Sequence, residues 1–278
     1  MITCPADKAA IVPQELAARF RFPEVHCDSS MMADFAEAQM KWDGDVYATV
    51  PFCSTVEAEA FGAEVRLGDE KTTPLVHRCR WKNIDDVKLD APDPLAGRMG
   101  TVMKALELLK ARRVPSVLEM AGPFSVLMGL LEPGTIFKCL SKEPERVIAL
   151  LGTISDYLEA CARQAARRGA ALISLAEPAA TADLVGPRVF KRAVGPQVVG
   201  LMKRMSAIPG DWAGFLCGRL SISLVESGQL KERRIALERR RYGEVLEEYR
   251  AQGVKWFGGS CIAQTATFCT QICLIDFP

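Results

Sequence analysis

The sequence predicts an α/β fold built from parallel strand–helix–strand units. Three observations carry this. From about Pro94 onward, short apolar runs alternate with longer stretches of helical spacing. One of those runs, residues 170–176, is apolar but for Ser174, as a strand covered on both faces requires. Two others, residues 213–216 and 254–257, lead into Leu216-Cys217-Gly218 and Gly259-Ser260-Cys261, so each sets a cysteine where a strand gives way to its loop. In parallel α/β proteins that carboxyl edge is where ligands bind.

Taken in order, residues 1–29 read as an irregular arm with a short helix near Gln14. Ser29 or Ser30 caps a helix to about Trp42, with Met32, Phe35, Ala36 and Met40 on one face. Residues 45–52 read as a strand that Pro51 stops. Ser54 or Thr55 then caps a short helix ending at Gly62. Residues 63–66 and 75–80 read as a hairpin. Helix is expected over 95–113, strand over 114–121 and helix over 124–131. A long helix over 144–168 carries Val147, Leu150, Leu151, Ile154 and Leu158 on one side. After the strand at 170–176, residues 187–205 are helical, with a break or kink at Gly195-Pro196. The strand into Cys217 and a short helix over 220–226 follow. Residues 231–241 are densely charged and expected to be a solvated run. Residues 242–251 are helical, the strand into Cys261 comes next, and 262–278 read as a short tail. No internal repeat or linker is evident, so a single domain over 1–278 with an N-terminal arm is expected.

Composition bounds the function. The chain has 278 residues and 49% apolar residues, enough for a sizeable core. Its formal net charge is +1, so no global field gathers nucleic acid. Charges interrupt every apolar stretch, so no membrane span is expected. Met1 to Ala10 carries no apolar signal region, and ten cysteines without one fit a reducing cytoplasm. With only two histidines, schemes that need several imidazoles are disfavoured.

The candidate chemistry lies at strand ends. Cys217 and Cys261 are distant in sequence but expected at one edge, as a thiolate metal site needs; two buried small residues is the plain alternative. Cys53 follows the first strand and can face the same edge or simply pack. Glu177 ends the strand at 170–176 and can ligate a metal, orient a substrate or cap a loop. Glu119 lies within an apolar strand, where a carboxylate is costly unless paired or used. Glu57 and Glu59 begin a helix, where the dipole favours acids anyway. His26 reads as a surface or capping group. Cys269 and Cys273 have the spacing of one helical face, and an iron–sulfur site there would need Cys261 as well. Arg239-Arg240-Arg241 reads as a solvated face or a dock for an acidic partner.

Five segments in order resemble the uroporphyrinogen decarboxylase superfamily, in its branch of cobalamin-dependent methyltransferases. They are Phe22-Pro23-Glu24-Val25-His26; Val50-Pro51-Phe52 with Thr55-Val56-Glu57-Ala58-Glu59-Ala60-Phe61-Gly62; Leu118-Glu119-Met120-Ala121-Gly122-Pro123-Phe124; Ile173-Ser174-Leu175-Ala176-Glu177-Pro178; and Leu216-Cys217-Gly218 with Gly259-Ser260-Cys261. The similarity covers roughly residues 20–262.

That resemblance implies a TIM-like (β/α)8 barrel. It also implies a methyltransferase that moves a methyl group from a methylcorrinoid, carried by a partner protein, to a thiol or folate acceptor. The implied cofactor is zinc, held through a His-x-Cys pair and a later Cys, which turns a thiol into a thiolate. On that basis Cys217 and Cys261 are expected metal ligands; Glu177 and Glu119, from their own places in the strands, are the candidate catalytic groups. Two departures stand out. Phe215 occupies the position of the ligand His, so Cys53, giving three thiolates, and Glu177 are the candidates for the third ligand. The segment between Cys217 and Cys261 is also short, so a shortened or open barrel is expected. His77-Arg78-Cys79 spells His-x-Cys but falls in the hairpin. A corrinoid carrier and a small methyl acceptor are the expected partners. A non-catalytic member that binds a corrinoid, tetrapyrrole or partner protein is the alternative.

Overall fold

A computed structural model describes residues 12–278 of the chain. The start of the expected arm lies outside the described residues. The chain enters through α1 (Gln14–Ala17) and turns into α2 (Ser29–Asp43). The cap of α2 is Asp28, not Ser29 or Ser30: its carboxylate accepts the Met31 N–H at 2.7 Å. β1 (Ala48–Val50) is shorter than expected, because its partner strand pairs with only these residues. α3 (Val56–Ala60) has Thr55 at its N-cap position without a side-chain cap bond. The Thr55 hydroxyl instead accepts from Arg98 at 2.7 Å. β2 (Glu64–Arg66) and β3 (Leu75–Arg78) form the expected hairpin as a separate antiparallel pair.

α4 (Gly97–Ala111), β4 (Ser116–Ala121) and α5 (Pro123–Leu130) follow as expected. α6 (Pro133–Lys142) is a helix that the sequence reading passes over. Its buried face, Ile136, Cys139 and Leu140, is a short i, i+3, i+4 stripe. α7 (Pro144–Arg167) and β5 (Leu172–Ala176) match their expected spans. After α8 (Ala182–Val185) and α9 (Pro187–Val189), residues 190–194 wind as a π-helix before α10 (Gly195–Ser206). Pro196 has no N–H to continue an α-helical ladder, so the expected irregularity takes this form. β6 (Ala213–Cys217), α11 (Gly218–Glu226), β7 (Lys231–Arg241), α12 (Tyr242–Ala251), β8 (Trp256–Ser260) and β9 (Phe268–Asp276) complete the chain.

The main sheet runs β1-β4-β5-β6-β8-β9-β7. Its first five strands are parallel, with Val50 opposite Leu118, Leu118 opposite Ile173, Leu172 opposite Ala213 and Phe215 opposite Phe257. β9 runs antiparallel to β8, and β7 antiparallel to β9. The strand–helix units of the expected barrel are therefore present, in the shortened form, and the hydrogen-bonded ladder does not close. Two expectations are corrected. Residues 231–241 are an edge strand, because only Ile235 and Leu237 carry its alternation among charges. The supposed tail holds β9. Its Cys269 and Cys273 stand four strand residues apart, about 14 Å at 3.4 Å each, too far to share a cluster.

The two faces of the sheet are covered differently. Leu118, Met120, Ile173, Leu175 and Leu216 join the large core with α2, α4, α5, α7 and α10. Val117, Leu172, Ala213, Phe215 and Phe257 form a second core with Tyr242, Val245 and Leu246 of α12 and Ile272 and Leu274 of β9. α12 thus fills the face that a closed barrel would keep as its lumen. Gly214 is required between these layers, since a Cβ there would come within 2.3 Å of the buried Trp256 ring. Among the described residues no helix is long and apolar enough to cross a membrane.

Candidate functional site

The carboxyl edge of β6 and β8 brings Cys217 and Cys261 into neighbouring positions. The two strands are adjacent and parallel, and Cys217 lies opposite Ser260, the residue before Cys261. Both cysteines are half-buried. α11 starts directly after Cys217, and its Ser221 hydroxyl donates to the Gly218 carbonyl at 3.0 Å while accepting the Gly259 N–H at 2.9 Å. One side chain therefore fastens the two cysteine loops together. Phe215, two residues back on β6, points into the second core. It is fully buried and meets the Tyr242 ring edge-on at 6.3 Å.

Cys53 has other company. The buried Arg98 donates to its sulfur at 3.6 Å, to Thr55 and to Glu59. A guanidinium aimed at the sulfur puts positive charge where a metal cation would have to sit. Among the described residues no three His, Cys, Asp or Glu side chains gather so as to hold a metal ion. The expected trio of Cys217, Cys261 and Cys53 does not come together, and a closed zinc site does not fit this donor set. His26 is corrected as well: it is buried between the Phe22 and Phe52 rings. Burial and Arg98 push its pKa down to about 4, so it stays neutral. His77 and Cys79 sit at the hairpin, bonded to Arg66 and to the Met128 carbonyl.

Three buried or half-buried carboxyls line the other side of the edge. Glu177 accepts the Phe124 and Ser125 N–H groups, both at 2.8 Å, and so caps α5 from the neighbouring strand. Burial lifts its pKa to about 7 against the pull of those bonds. Of the roles open to it, the capping one is made here. Gly122 leaves the room for it, since a Cβ would fall 2.4 Å from the Glu177 carboxyl carbon. Gly122→Ala is therefore expected to lower the urea stability by about 1–3 kcal/mol, as overpacking does; an unchanged midpoint would refute the assignment.

Glu119 belongs to the row Glu119, Ser174, Phe215, Phe257 across β4, β5, β6 and β8. It shares the inner face of β4 with Val117, one layer below the level of Cys217. Desolvation pushes its pKa up to about 7. The third carboxyl, Glu57, is fully buried at the start of α3. Its Oε1 accepts the Ala121 N–H at 3.0 Å, and its Oε2 has no hydrogen-bond partner. Sequence reasoning assigned Glu57 to the helix dipole. The overlooked signal is its place just past a strand end, between the apolar Val56 and Ala58. Beside this edge runs a groove of about 430 Å³, lined by Arg239, Tyr242, Ser260, Gln264, Phe268 and Cys269 among others.

Comparison with known proteins identifies the family and the fold. Residues 6–250 match the family model described as uroporphyrinogen decarboxylase (URO-D). The methylcobamide:CoM methyltransferase MtbA of Methanosarcina acetivorans is 30% identical over 221 residues, covering 78% of this chain and 65% of that protein. MtbA of Methanosarcina mazei is 29% identical over 225 residues, covering 80% of this chain and 66% of that protein. A solved methyltransferase from Methanosarcina mazei shares the fold, with a TM-score of 0.67 at 23% identity, covering 77% of this chain and 64% of that one. The matches thus span just under two thirds of these relatives' lengths.

Proposed function

Because the chain belongs to the uroporphyrinogen decarboxylase (URO-D) family, we propose that it is a corrinoid-dependent methyltransferase, taking a methyl group from a methylcorrinoid on a carrier protein and giving it to a small thiol or folate acceptor. The observation that carries this reading is the similarity to the methylcobamide:CoM methyltransferases, and the residue this chain offers for the proton chemistry is Glu119. It is a carboxyl with a pKa near neutrality, on the inner face one layer below the strand edge that holds Cys217. For a thiol acceptor, the sulfur forms a bond to the methyl carbon as the carbon–cobalt bond breaks. Both electrons of the broken bond stay on cobalt. The thiol proton passes to the Glu119 carboxylate, whose pKa suits a base working near pH 7.

In the finer version of this reading, zinc on Cys217 and Cys261 would ionise the acceptor. It rests on those two thiols alone, because Phe215 cannot ligate and Cys53 faces Arg98. No step is assigned to it. Elemental analysis of the purified chain is expected to find well under one zinc per chain. A full equivalent that is lost in Cys217→Ser would reinstate the metal route.

A second reading, a member repurposed to bind a corrinoid, tetrapyrrole or partner protein without turnover, is favoured by Phe215 at the ligand position. Mixing the chain with methylcobalamin and coenzyme M separates the two. Transfer predicts a methyl thioether by mass spectrometry and loss of the methylcobalamin spectrum. Spectral change without thioether supports the second reading, and no change at all refutes methyl transfer from methylcobalamin to coenzyme M.

A further inference from the structure

The groove beside the cysteine edge is opened by irregularities in two strands. β8 pairs with β9 at Phe257 and Gly258 and no further. The next residue, Gly259, has a φ of 75°, in the left-handed region that glycine enters without strain. A Cβ there would also come within 2.8 Å of the Cys273 Cβ. β8 therefore turns away from β9 at this point and the sheet splits. The groove of about 430 Å³ occupies the split, with Ser260 of β8 and Gln271 of β9 in its walls.

The second irregularity is in β7. Ala236 stands opposite Gln271, but Arg240 stands opposite Cys269, so four steps along β7 match two along β9. A bulge of this kind re-aims side chains and recurs beside functional sites. Here it lays Arg239 over the Phe268 ring, 4.4 Å from its centre, at the groove. The neighbouring basic residues are engaged: Arg233 with Asp276, Arg240 with Glu248 and Arg241 with the Gly44 carbonyl. Among the described residues Arg239 has the ring for company and no carboxylate.

The groove is rich in donors, and among the described residues no carboxylate lines it. Arg234 donates through Nε and Nη2 to Glu232, which leaves further N–H groups for a ligand. The Ser260 hydroxyl donates to Gln264 Oε1 at 3.2 Å, which leaves the Gln264 amide nitrogen as a donor. Tyr242 is only 4% exposed, and its hydroxyl is turned toward Ser260 without closing a hydrogen bond there or to any other described group. Burial raises its pKa above the usual phenol range, so it keeps a proton to donate. A buried hydroxyl in this state calls for a partner that the chain does not supply. Donors that arrive from three strands and a helix suit the oxygens of a tetrahedral anion, and guanidinium groups are strong partners for phosphate.

We propose that this groove is a binding site for a phosphate group, free or as the ester of a small ligand, held by Arg234, Arg239 and the Tyr242 hydroxyl. None of these groups takes part in the methyl transfer proposed above, so the site stands or falls separately from that reading.

The test is isothermal titration calorimetry of the full chain at fixed ionic strength, with inorganic phosphate, sulfate and acetate. Phosphate and sulfate are expected to bind saturably, and acetate not to. Arg239→Gln should weaken phosphate by about 10–100-fold and Tyr242→Phe by about tenfold, as for the loss of hydrogen bonds to a charged group. Arg233→Gln, on the same strand but outside the groove, should leave the affinity unchanged. Arg239 is exposed, so its variant reads binding even if Tyr242→Phe folds poorly. No saturation below about 10 mM phosphate would overturn the site. So would equal binding of acetate, an affinity that neither groove variant changes, or a loss in Arg233→Gln as large as in Arg239→Gln, which is the behaviour of a diffuse basic surface. Phenyl phosphate distinguishes the two sources: tighter binding than phosphate supports an ester as the occupant, and equal or weaker binding supports the free ion.

Discussion

Glu119→Gln is expected to slow methyl transfer to a thiol by about 10²–10⁴-fold, the range for removing a general base, with methylcorrinoid binding unchanged. The amide keeps the size of the side chain and its place between Ser174 and the Val117 layer. What it loses is the ability to take a proton at neutral pH. The loss should fall on kcat with little change in KM, because the missing interaction is made only as the thiol ionises. It should also shrink as pH rises past the pKa of the thiol, where the acceptor arrives already ionised and needs no base. A variant with wild-type kcat at pH 7 would refute the assignment, as would a deficit that does not narrow at high pH.

Phe215→Ala is expected to cost about 3–5 kcal/mol in urea unfolding, as for other fully buried aromatic truncations. The ring has no exposed surface and packs in the second core with Tyr242, Phe257 and Leu172. Around it are strands on one side and α12 on the other, so the site has little freedom to collapse into the gap. A loss below about 1 kcal/mol would mean that α12 does not hold this face shut.

The parallel strands were legible because they are apolar on both sides, and α12 because its spacing is plain. β7 and β9 were not. In β7 the pattern is hidden under charge, and only the partner strand reveals which residues face inward. β1 shows the opposite error, since its apolar run continues beyond the residues that a neighbour pairs. At the site, the neighbouring placement of Cys217 and Cys261 followed from strand ends and glycines. What the sequence could not reveal was occupancy of side-chain bonding capacity. Glu177 is bound by two N–H groups of a helix start, and Cys53 by an arginine that enters from the far-off α4. Glu57 was misjudged for the same reason, because its burial depends on where β1 stops.

The strand order sets a schedule. β7 comes before β8 in the chain but joins the sheet outside β9, and β9 is its only strand partner among the described residues. During synthesis, which delivers the N-terminal part first, β7 must therefore wait, fully formed in sequence but unpaired, until the last strand arrives. A waiting strand is an invitation to pair with another chain. Here six of its eleven residues are Lys or Arg, so two waiting copies repel each other. When β9 does arrive, the Phe268 ring receives Arg239 and Arg241 at 4.4 and 5.6 Å. The charge that protects the strand while it waits then helps to seat it.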